Sequence, residues 1–241
     1  FFVKLKSAET VPDNVLFNAS MLINRWVTGG EKVITPQATI ILNTSDGTRS
    51  SQSELRISAE ASRDYVAGED VEMLGEGNIA EIAQAYSVAG SQAVALNATN
   101  DIDWMPIGVV ADKSRSTNVT ISLNSKMLRK MQDEGGKLFI YDATSKKFRE
   151  IADGMQIEMM ANDHGRYYLT NNNWVVPTGI SAVHCFSPSP STIIVAALNG
   201  EVKRVVVYDI AGSLVTSNHS SIGERCQLNV QQPGVYIVKA T

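Results

Sequence analysis

The chain has 241 residues, of which 44% are hydrophobic and 19% are charged. This composition is typical of a folded globular protein and excludes an intrinsically disordered chain. The net charge of −4 offers no basic surface for nucleic acid. No apolar run approaches the roughly 20 residues that a membrane-spanning helix needs. Because the sequence starts at Phe1 without a methionine or a signal peptide, we expect it to be the tail of a longer protein.

The first half of the chain predicts short strands separated by turns. Three apolar stretches come first, at residues 1–5, 15–18 and 21–27. Residues 38–42 then lead into the Asn-, Asp- and Gly-containing run 43–47, which favours a β-hairpin whose return strand begins at residues 55–57. Apolar residues recur on one face at 78–86, a spacing that predicts one or two turns of helix.

The second half of the chain predicts a regular series of strands. Residues 118–123 alternate between apolar and polar side chains, which indicates a half-buried strand. Residues 125–131 predict a short amphipathic helix or a loop. Four further strands are expected as a meander, at residues 137–141, 148–151, 155–160 and 166–169, with turn residues between them. Strands at this spacing favour an all-β sandwich.

We place a domain boundary after the strand at residues 180–186. The following Ser187-Pro-Ser-Pro-Ser191 predicts a stiff linker, because tandem prolines fix the backbone and remove hydrogen-bond donors. Residues 1–186 are therefore expected to form a jelly-roll-like β-sandwich, and residues 187–241 a small Ig-like β-sandwich. The predicted fold class is all-β.

The end of the chain predicts four short strands with their turns. Asp209 and Gly212 mark one turn and Pro233-Gly234 another, and both glycines are expected at positive φ. We expect a small separate core in this region, built from Tyr208, Leu214, Leu228, Val235 and Ile237.

Two linked motifs in this region resemble the type A C-terminal sorting domain of the Bacteroidetes type IX (Por) secretion system. Their residues are Val207, Tyr208, Asp209, Gly212, Leu214 and Val215, followed by Pro233, Gly234, Val235 and Tyr236. The resemblance implies an Ig-like domain that secretion or outer-membrane attachment machinery recognises. It also implies an extracellular or outer-surface location.

The preceding region carries a second resemblance. The segments at residues 1–5, 15–18 with Met21, 105–108, 138–142 and 166–170 are similar, in that order, to the β-rich region before the sorting domain in large secreted or surface proteins of Bacteroidetes. This resemblance implies an adhesin-like protein with a host or glycan surface as a candidate partner, and it implies no reaction.

Two groups of oxygen-bearing side chains are candidates for chemistry. The first is a carboxylate cluster made of Asp64, Glu69, Asp70, Glu72 and Glu76. It has the residue types of a glycosidase pair, although a solvated acidic loop is the favoured interpretation. The second group contains Asn97, Asn100, Asp101 and Asp103. These are ligands that suit Ca²⁺, but a turn satisfied by its own side chains is preferred because the EF-hand order is absent.

Histidine, cysteine and tryptophan residues suggest three further alternatives. His184 beside Cys185 has the residue types of a zinc site but lacks the four ligands of a closed one. Cys185 and Cys226 are either small buried apolar residues or a pair that forms in an oxidising compartment. The tryptophans are either sugar-stacking platforms or core residues, namely Trp26, Trp104 and Trp174.

Two functional hypotheses of different class remain. The first is a non-catalytic C-terminal module of a secreted or cell-surface adhesin-like protein, whose tail acts in export or surface attachment. The second is a carbohydrate-binding or carbohydrate-active β-sandwich fragment. The sequence contains no nucleophile elbow, phosphate-binding loop or dinucleotide fingerprint. We therefore expect no enzyme activity, no organic cofactor and no zinc.

Overall fold

The computed structural model describes residues 36–45, 47–73, 82–111, 115–133, 135–172, 175–219 and 223–241. All of them belong to one compact unit that spans Ile34–Thr241. The predicted strand at residues 1–5 and the apolar stretches at residues 15–18 and 21–27 lie outside the described residues. So do three of the candidate residues, Trp26, Glu76 and Trp174.

The described residues form seventeen strands and one α-helix, which confirms the all-β prediction. The strands of the first part are β1 Ala38–Ser45, β2 Ser50–Ile57, β3 Val71–Glu72, β4 Gln84–Ala89, β5 Gln92–Thr99, β6 Met105–Val110, β7 Ser116–Leu123, β8 Phe139–Asp142, β9 Lys147–Glu150, β10 Met155–Met160 and β11 Tyr167–Thr170. Those of the last part are β12 Val183–Ser189, β13 Thr192–Ala197, β14 Val205–Asp209, β15 Leu214–Asn218, β16 Arg225–Asn229 and β17 Tyr236–Ala240.

Among the described residues the one α-helix is α1, Ser125–Asp133. Asn124 precedes it and accepts a hydrogen bond on Oδ1 from the backbone N–H of Met127, at 2.8 Å. This contact satisfies one of the free amides of the first helical turn. Met127 is buried in the main core, and α1 packs against β1 and β7. The predicted helix at residues 125–131 is therefore present.

One long sheet curls to form the main sandwich. Its strands pair in the order β10-β7-β1-β2-β5-β4-β6-β11-β8-β9. Strands near both ends of this path send buried residues into the same core, for example Val119 of β7 and Leu169 of β11. A flat sheet would keep these strands many strand spacings apart, so the shared core requires the sheet to fold back on itself.

The pairing differs from the predicted meander. The four predicted strands are present, and β8 and β9 do form an antiparallel hairpin. However, β10 pairs with β7 rather than with β9, and β11 lies between β6 and β8. A hydrophobic pattern fixes which face of a strand is buried but not which strand lies next to it. The predicted helix at residues 78–86 is also wrong over its last residues, because Gln84–Ala89 forms β4.

The last part of the chain builds a second, smaller sandwich. One layer contains β12, β13 and β16, and the other contains β15, β14 and β17 in that order. A second core fills the space between them, lined by Ile193, Val195, Ala197, Val202, Val205, Val207, Cys226, Leu228 and Val230. β12 also pairs with β5 of the main sheet, through Ser187 and Gln92.

The predicted linker is a hairpin in the structure. Ser187–Ser189 end β12, and the chain turns at residues 190–191 into β13. Ser187 Oγ donates to the carbonyl oxygen of Thr192 at 2.8 Å, which fastens the turn. Pro188 is tolerated in β12 because the pairing of β12 with β13 is interrupted between Phe186 and Ser189, where the register shifts. The division into residues 1–186 and 187–241 stays a prediction.

A polar junction joins the two sandwiches. Arg225 of β16 pairs with Asp163, in the turn between β10 and β11, and also donates to the carbonyl oxygen of His164 at 3.3 Å. Gly165 in the same turn has φ +72, and a Cβ there would lie 2.7 Å from the Cβ of Ala196. A side chain at position 165 would therefore separate the turn from β13.

His164 is buried beneath this junction. Its Nδ1 lies 2.9 Å from the hydroxyl oxygen of Tyr86 in a hydrogen bond. The pKa of His164 is lowered to about 4, mainly because the ring is buried. The charge of Asp163 opposes this shift, and the charge of Arg225 adds to it. Burial likewise lowers the pKa of His184 to about 4, and Arg63 adds to the effect. Both rings are therefore neutral in the folded protein near neutral pH.

We predict that the free energy of unfolding falls as pH is lowered from 6.5 to 5. An unfolded histidine binds a proton near pH 6.5, whereas the folded protein holds both rings neutral down to about pH 4. Protonation then favours the unfolded chain. The free energy of unfolding falls by up to about 1.4 kcal/mol per pH unit for each histidine. Urea unfolding at several pH values measures this slope.

The matched control is the double variant His164→Gln, His184→Gln, which carries neither titrating ring. Its slope between pH 6.5 and 5 should be flatter than that of the wild type, whatever its absolute stability. A wild-type stability that does not change over this range would contradict the burial of both rings.

Candidate functional site

The residues of the sorting-like motifs converge at one end of the second sandwich. Val207, Tyr208 and Asp209 end β14, and Leu214 and Val215 begin β15. Pro233, Gly234 and Val235 precede β17, which begins at Tyr236. β14 pairs with both neighbours, so the two turns lie side by side. We call residues 207–215 and 233–237 the motif end.

The turn between β14 and β15 is held by the side chain of Asp209. Its Oδ1 accepts hydrogen bonds from the backbone N–H groups of Ala211, at 2.9 Å, and Ser213, at 2.8 Å. The N–H of Gly212 donates to the carbonyl oxygen of Asp209 at 3.0 Å. Gly212 has φ +83, as the sequence predicted. Asp209 and Gly212 thus shape the turn, because few other residues provide this bonding and this conformation.

The second turn is held by Tyr236. Its hydroxyl donates to the carbonyl oxygen of Gln232, which closes the loop around Pro233 and Gly234. The prediction of positive φ at Gly234 is wrong, because this residue is not among the glycines in that conformation. A Cβ there would meet only the Tyr236 ring, at an ordinary contact distance of 3.7 Å.

The outer surface of the motif end is apolar. Leu214, Tyr208 and Ile237 are direct cross-strand neighbours and form one row across three strands. Ile210 and Val235 are 78% and 76% exposed at the tips of the two turns. Ten large apolar side chains are exposed in the described part of the chain, and five of them lie here: Ile210, Leu214, Val215, Val235 and Ile237. Single exposed apolar residues are ordinary, but clusters mark contact surfaces.

This arrangement corrects the predicted core of the tail. Of the five residues expected inside, only Leu228 is buried, while Leu214, Val235 and Ile237 are exposed and Tyr208 is half-buried. Neighbouring residues on a strand face opposite sides of its sheet. If one residue is assigned to the wrong side, the predicted burial of every residue in that strand is therefore inverted. The inward residues are Val205 and Val207 of β14, and Tyr236, Val238 and Ala240 of β17.

Among the described residues of the acidic segment, one carboxylate is bonded within the fold and two are exposed. Asp70 is buried, and its two carboxylate oxygens accept the backbone N–H groups of Val66, at 2.7 Å, and Ala98, at 2.8 Å. Burial raises the pKa of Asp70, although these hydrogen bonds oppose the shift. Asp70 therefore holds the loop against β5, which departs from the expected solvated loop. Asp64 and Glu72 lie at the surface, where Tyr65 donates to Glu72 at 3.5 Å.

The predicted self-satisfied turn at residues 97–103 is only partly present. Asn97 lies within β5, and its Oδ1 is buried without a hydrogen-bond partner among the described residues. Asp101 and Asp103 lie in the turn that follows β5. Asp101 accepts the N–H of Asp103 on Oδ1 at 2.8 Å, and its other oxygen pairs with Arg63 at 2.5 Å. Thr170 donates to the carboxylate of Asp103. The guanidinium of Arg63 thus already neutralises the carboxylate that a metal cation would bind. Among the described residues, no group of three or more His, Cys, Asp or Glu side chains is placed to hold a metal ion.

A small pocket of about 180 Å³ lies beside β12. Arg63, Pro106, His184 and Phe186 are among its lining residues. His184 Nε2 is buried and has no hydrogen-bond partner in the described part of the chain. Arg63 is already bound to Asp101 and to the carbonyl oxygen of Asp103. The pocket therefore has a neutral ring and a neutralised cation. Cys185 lines it as well, and burial raises the pKa of this thiol, so it is protonated near neutral pH.

Cys185 and Cys226 are too far apart to form a disulfide with each other. Both residues are opposite Val195, one from β12 and the other from β16, so two strand spacings separate them. Their Cα atoms are thus roughly 10 Å apart, whereas a disulfide needs less than about 7 Å. Both thiols are free, with Cys226 buried as expected and Cys185 exposed, contrary to the burial predicted for it.

Trp104 is a core residue rather than a sugar platform. It is 6% exposed and makes edge-on contacts with Tyr141, at 5.4 Å between ring centroids, and Phe148, at 5.9 Å. A ring that is covered on this scale cannot stack on a sugar. This observation removes the tryptophan that the described residues could have offered to the carbohydrate hypothesis.

Sequence reasoning missed the residues of the junction. His164 lies in a turn between two predicted strands and belongs to no motif, yet it is bonded to Tyr86. Arg225 was not singled out, although it pairs across the two sandwiches. The available signal was the Asn162-Asp-His-Gly165 turn itself, in which Asn162 and Gly165 both have positive φ.

We predict that Gly212→Ala lowers the free energy of unfolding by about 1–2 kcal/mol, because Ala at φ +83 is strained. Gly234→Ala is the matched control, since its φ is not in the left-handed region and its surroundings leave room. It should change stability by less than about 0.5 kcal/mol. Urea unfolding of both variants tests the assignment, and equal losses would contradict it.

We also predict different effects for two leucines of the tail. Leu228 is 7% exposed within the second core, and Leu228→Ala should cost about 2–5 kcal/mol. Leu214 is 63% exposed, so Leu214→Ala should cost less than about 1 kcal/mol. Thermal unfolding of the two variants measures the difference. A larger loss for Leu214→Ala would mean that the side chain belongs to the core, as the sequence alone suggested.

Comparison of the chain with known protein families, curated proteins and solved structures found no match. The residues of the motif end and their resemblance to the sorting motifs are therefore the basis for a functional proposal.

Proposed function

We propose that this chain is a non-catalytic C-terminal module of a secreted or cell-surface, adhesin-like protein. In this proposal the motif end is the surface that secretion or outer-membrane attachment machinery contacts. The protein would act outside the cell or on its outer surface. The proposal combines the two sequence resemblances with the geometry of the second sandwich.

The observation that carries the proposal is the division of labour within the motifs. Val207, Asp209 and Gly212 build the core and the turn, while Leu214 and Val235 are exposed beside them. A purely structural motif has no need to leave large apolar side chains in water, since their burial is favourable. A recognition motif needs both a rigid frame and an exposed contact surface.

The carbohydrate hypothesis has less support in the described part of the chain. The carboxylates at positions 64, 70 and 72 serve a loop or face solvent. Trp104 is covered by aromatic neighbours. No observation on the described residues favours a catalytic or sugar-binding role over the recognition role.

The test uses the full chain behind an export signal and a reporter in a host that has a type IX secretion system. The variant Leu214→Ser, Val235→Ser removes two exposed motif side chains without opening the core. We expect its surface display to fall at least tenfold, to near the level of a reporter that lacks the chain. Surface labelling of intact cells measures the display.

The matched control is Val175→Ser, Ile180→Ser, because these side chains are 66% and 94% exposed and do not belong to the motif end. It should be displayed like the wild type. Equal display of the motif variant, the control and the wild type would refute recognition through the motif end. Display of none of them would refute an export role for the chain.

A further inference from the structure

The outer face of the three-stranded layer has an apolar end and a cationic end. Its apolar end is the row of Leu214, Tyr208 and Ile237, with Ile210 and Val235 at the turn tips. The tips are the most exposed of these side chains. They stand at convex turns rather than in a groove.

The cationic end lies behind this row on the same face. Lys239 follows Ile237 by two residues, so its Cα lies roughly 7 Å further along β17 on the same side. Arg204 continues β14 and exchanges backbone hydrogen bonds with Thr241, at 3.1 and 2.9 Å. Val205 faces the second core, and side chains alternate along a strand, so the neighbouring Arg204 faces outward. Both cations are exposed, and neither has an ion-pair partner among the described residues.

The outward positions of the three strands carry no acidic side chain. By alternation they are Arg204, Val206 and Tyr208 on β14, Val235, Ile237 and Lys239 beside or on β17, and Leu214 and Ser217 on β15. Asp209, which ends β14, is bound to two amides within its turn. Val206 is itself buried and adds nothing to the exposed surface. The face therefore combines apolar tips with unbalanced positive charge, although the whole chain is acidic.

We propose that this face docks on an anionic lipid surface. Ile210 and Val235 would enter the boundary between headgroups and acyl chains, where burial of apolar area is favourable. Lys239 and Arg204 would face the lipid phosphates, since basic residues near such a surface are attracted to it. This proposal does not depend on the export role.

The size of the apolar surface favours lipid over a protein partner. Four exposed side chains and the half-buried Tyr208 offer an apolar area on the order of a few hundred Å². A stable protein complex buries about 800 Å² on each partner. A lipid surface needs no complementary shape, and two neighbouring convex tips can enter it together.

The test measures sedimentation of the full chain with vesicles. One set contains phosphatidylglycerol mixed with phosphatidylcholine, and the other contains phosphatidylcholine alone. We expect binding to the anionic vesicles that is at least tenfold stronger than binding to the neutral ones, and weaker at 0.5 M salt because salt screens the cations. Lys239→Gln, Arg204→Gln should weaken anionic binding by more than about tenfold, given about fivefold for each cation. Ile210→Ser, Val235→Ser should weaken it by a similar factor.

The controls change the same residue types elsewhere. Val175→Ser, Ile180→Ser replaces apolar side chains that are also exposed, and Lys126→Gln, Lys147→Gln removes two exposed cations. Both should bind like the wild type. Unfolding midpoints establish that each variant is folded, and the salt dependence of the wild type tests the charge contribution without any substitution.

Three outcomes would overturn the proposal. The first is the absence of vesicle binding by the wild type. The second is equal binding by the tip variant and the wild type, which would indicate non-specific attraction of charge. The third is a concentration-dependent dimer that the tip variant abolishes and vesicles do not displace, which would make a second copy the occupant. Loss of vesicle binding with normal export, or the reverse, would separate this proposal from the export role.

Discussion

Val205 and Val207 of β14 pack in one core with Val195 of β13 and Leu228 of β16. The tail depends on this contact, because the two layers of the second sandwich meet through it. It also fixes the side to which every residue of β14 and its neighbours points. Once Val205 and Val207 face inward, Tyr208 must face outward, and its partners Leu214 and Ile237 face outward with it.

This constraint separates the sorting-like motifs into two groups. Val207, Asp209, Gly212 and Tyr236 build the core and the turns, so substitutions there act through the fold. Leu214 and Val235 contribute little to the core and are exposed. The same substitution can therefore have a structural or a functional effect at neighbouring positions. Experiments that remove the whole motif cannot separate these effects, whereas substitutions at exposed positions can.

The junction connects the second sandwich to the first. Arg225 reaches Asp163, and Gly165 allows the turn to approach Ala196. β12 adds a backbone pairing with β5 on the same sheet. These contacts explain why the prolines after Phe186 do not form an extended linker, since the chain on both sides of them is paired.

Much of the fold could be predicted from the sequence. Turn residues and alternation located most of the described strands, and the chemistry of Asp209 and Gly212 was predicted because it is local. The inward side of β17 could not be predicted, since Val235, Tyr236, Ile237 and Val238 are apolar on both sides of the strand. That choice depends on the register between β17 and β14. In β15 the bulge at Val215 likewise decides which side Leu214 faces.

Contacts between distant segments were also beyond the sequence. The bond between Tyr86 and His164 joins residues 78 positions apart. Cys185 and Cys226 are kept apart because Val195 of β13 lies between them in the sheet. No sequence pattern indicates that β13 separates these two strands. In the candidate site, the motif positions were found from the resemblance. Their division into buried and exposed groups required the register.

The most direct test of the central claim is the solvent exposure of individual methyl groups in solution. A methyl-labelled full chain is titrated with a soluble paramagnetic agent, and the relaxation of each methyl signal is measured by NMR. The register described here predicts strong relaxation at Ile210, Leu214, Val235 and Ile237, and weak relaxation at Val205, Val207, Leu228 and Val238. Protection of Leu214, Val235 and Ile237 together with exposure of Val238 would contradict it and would reverse the face of the motif end.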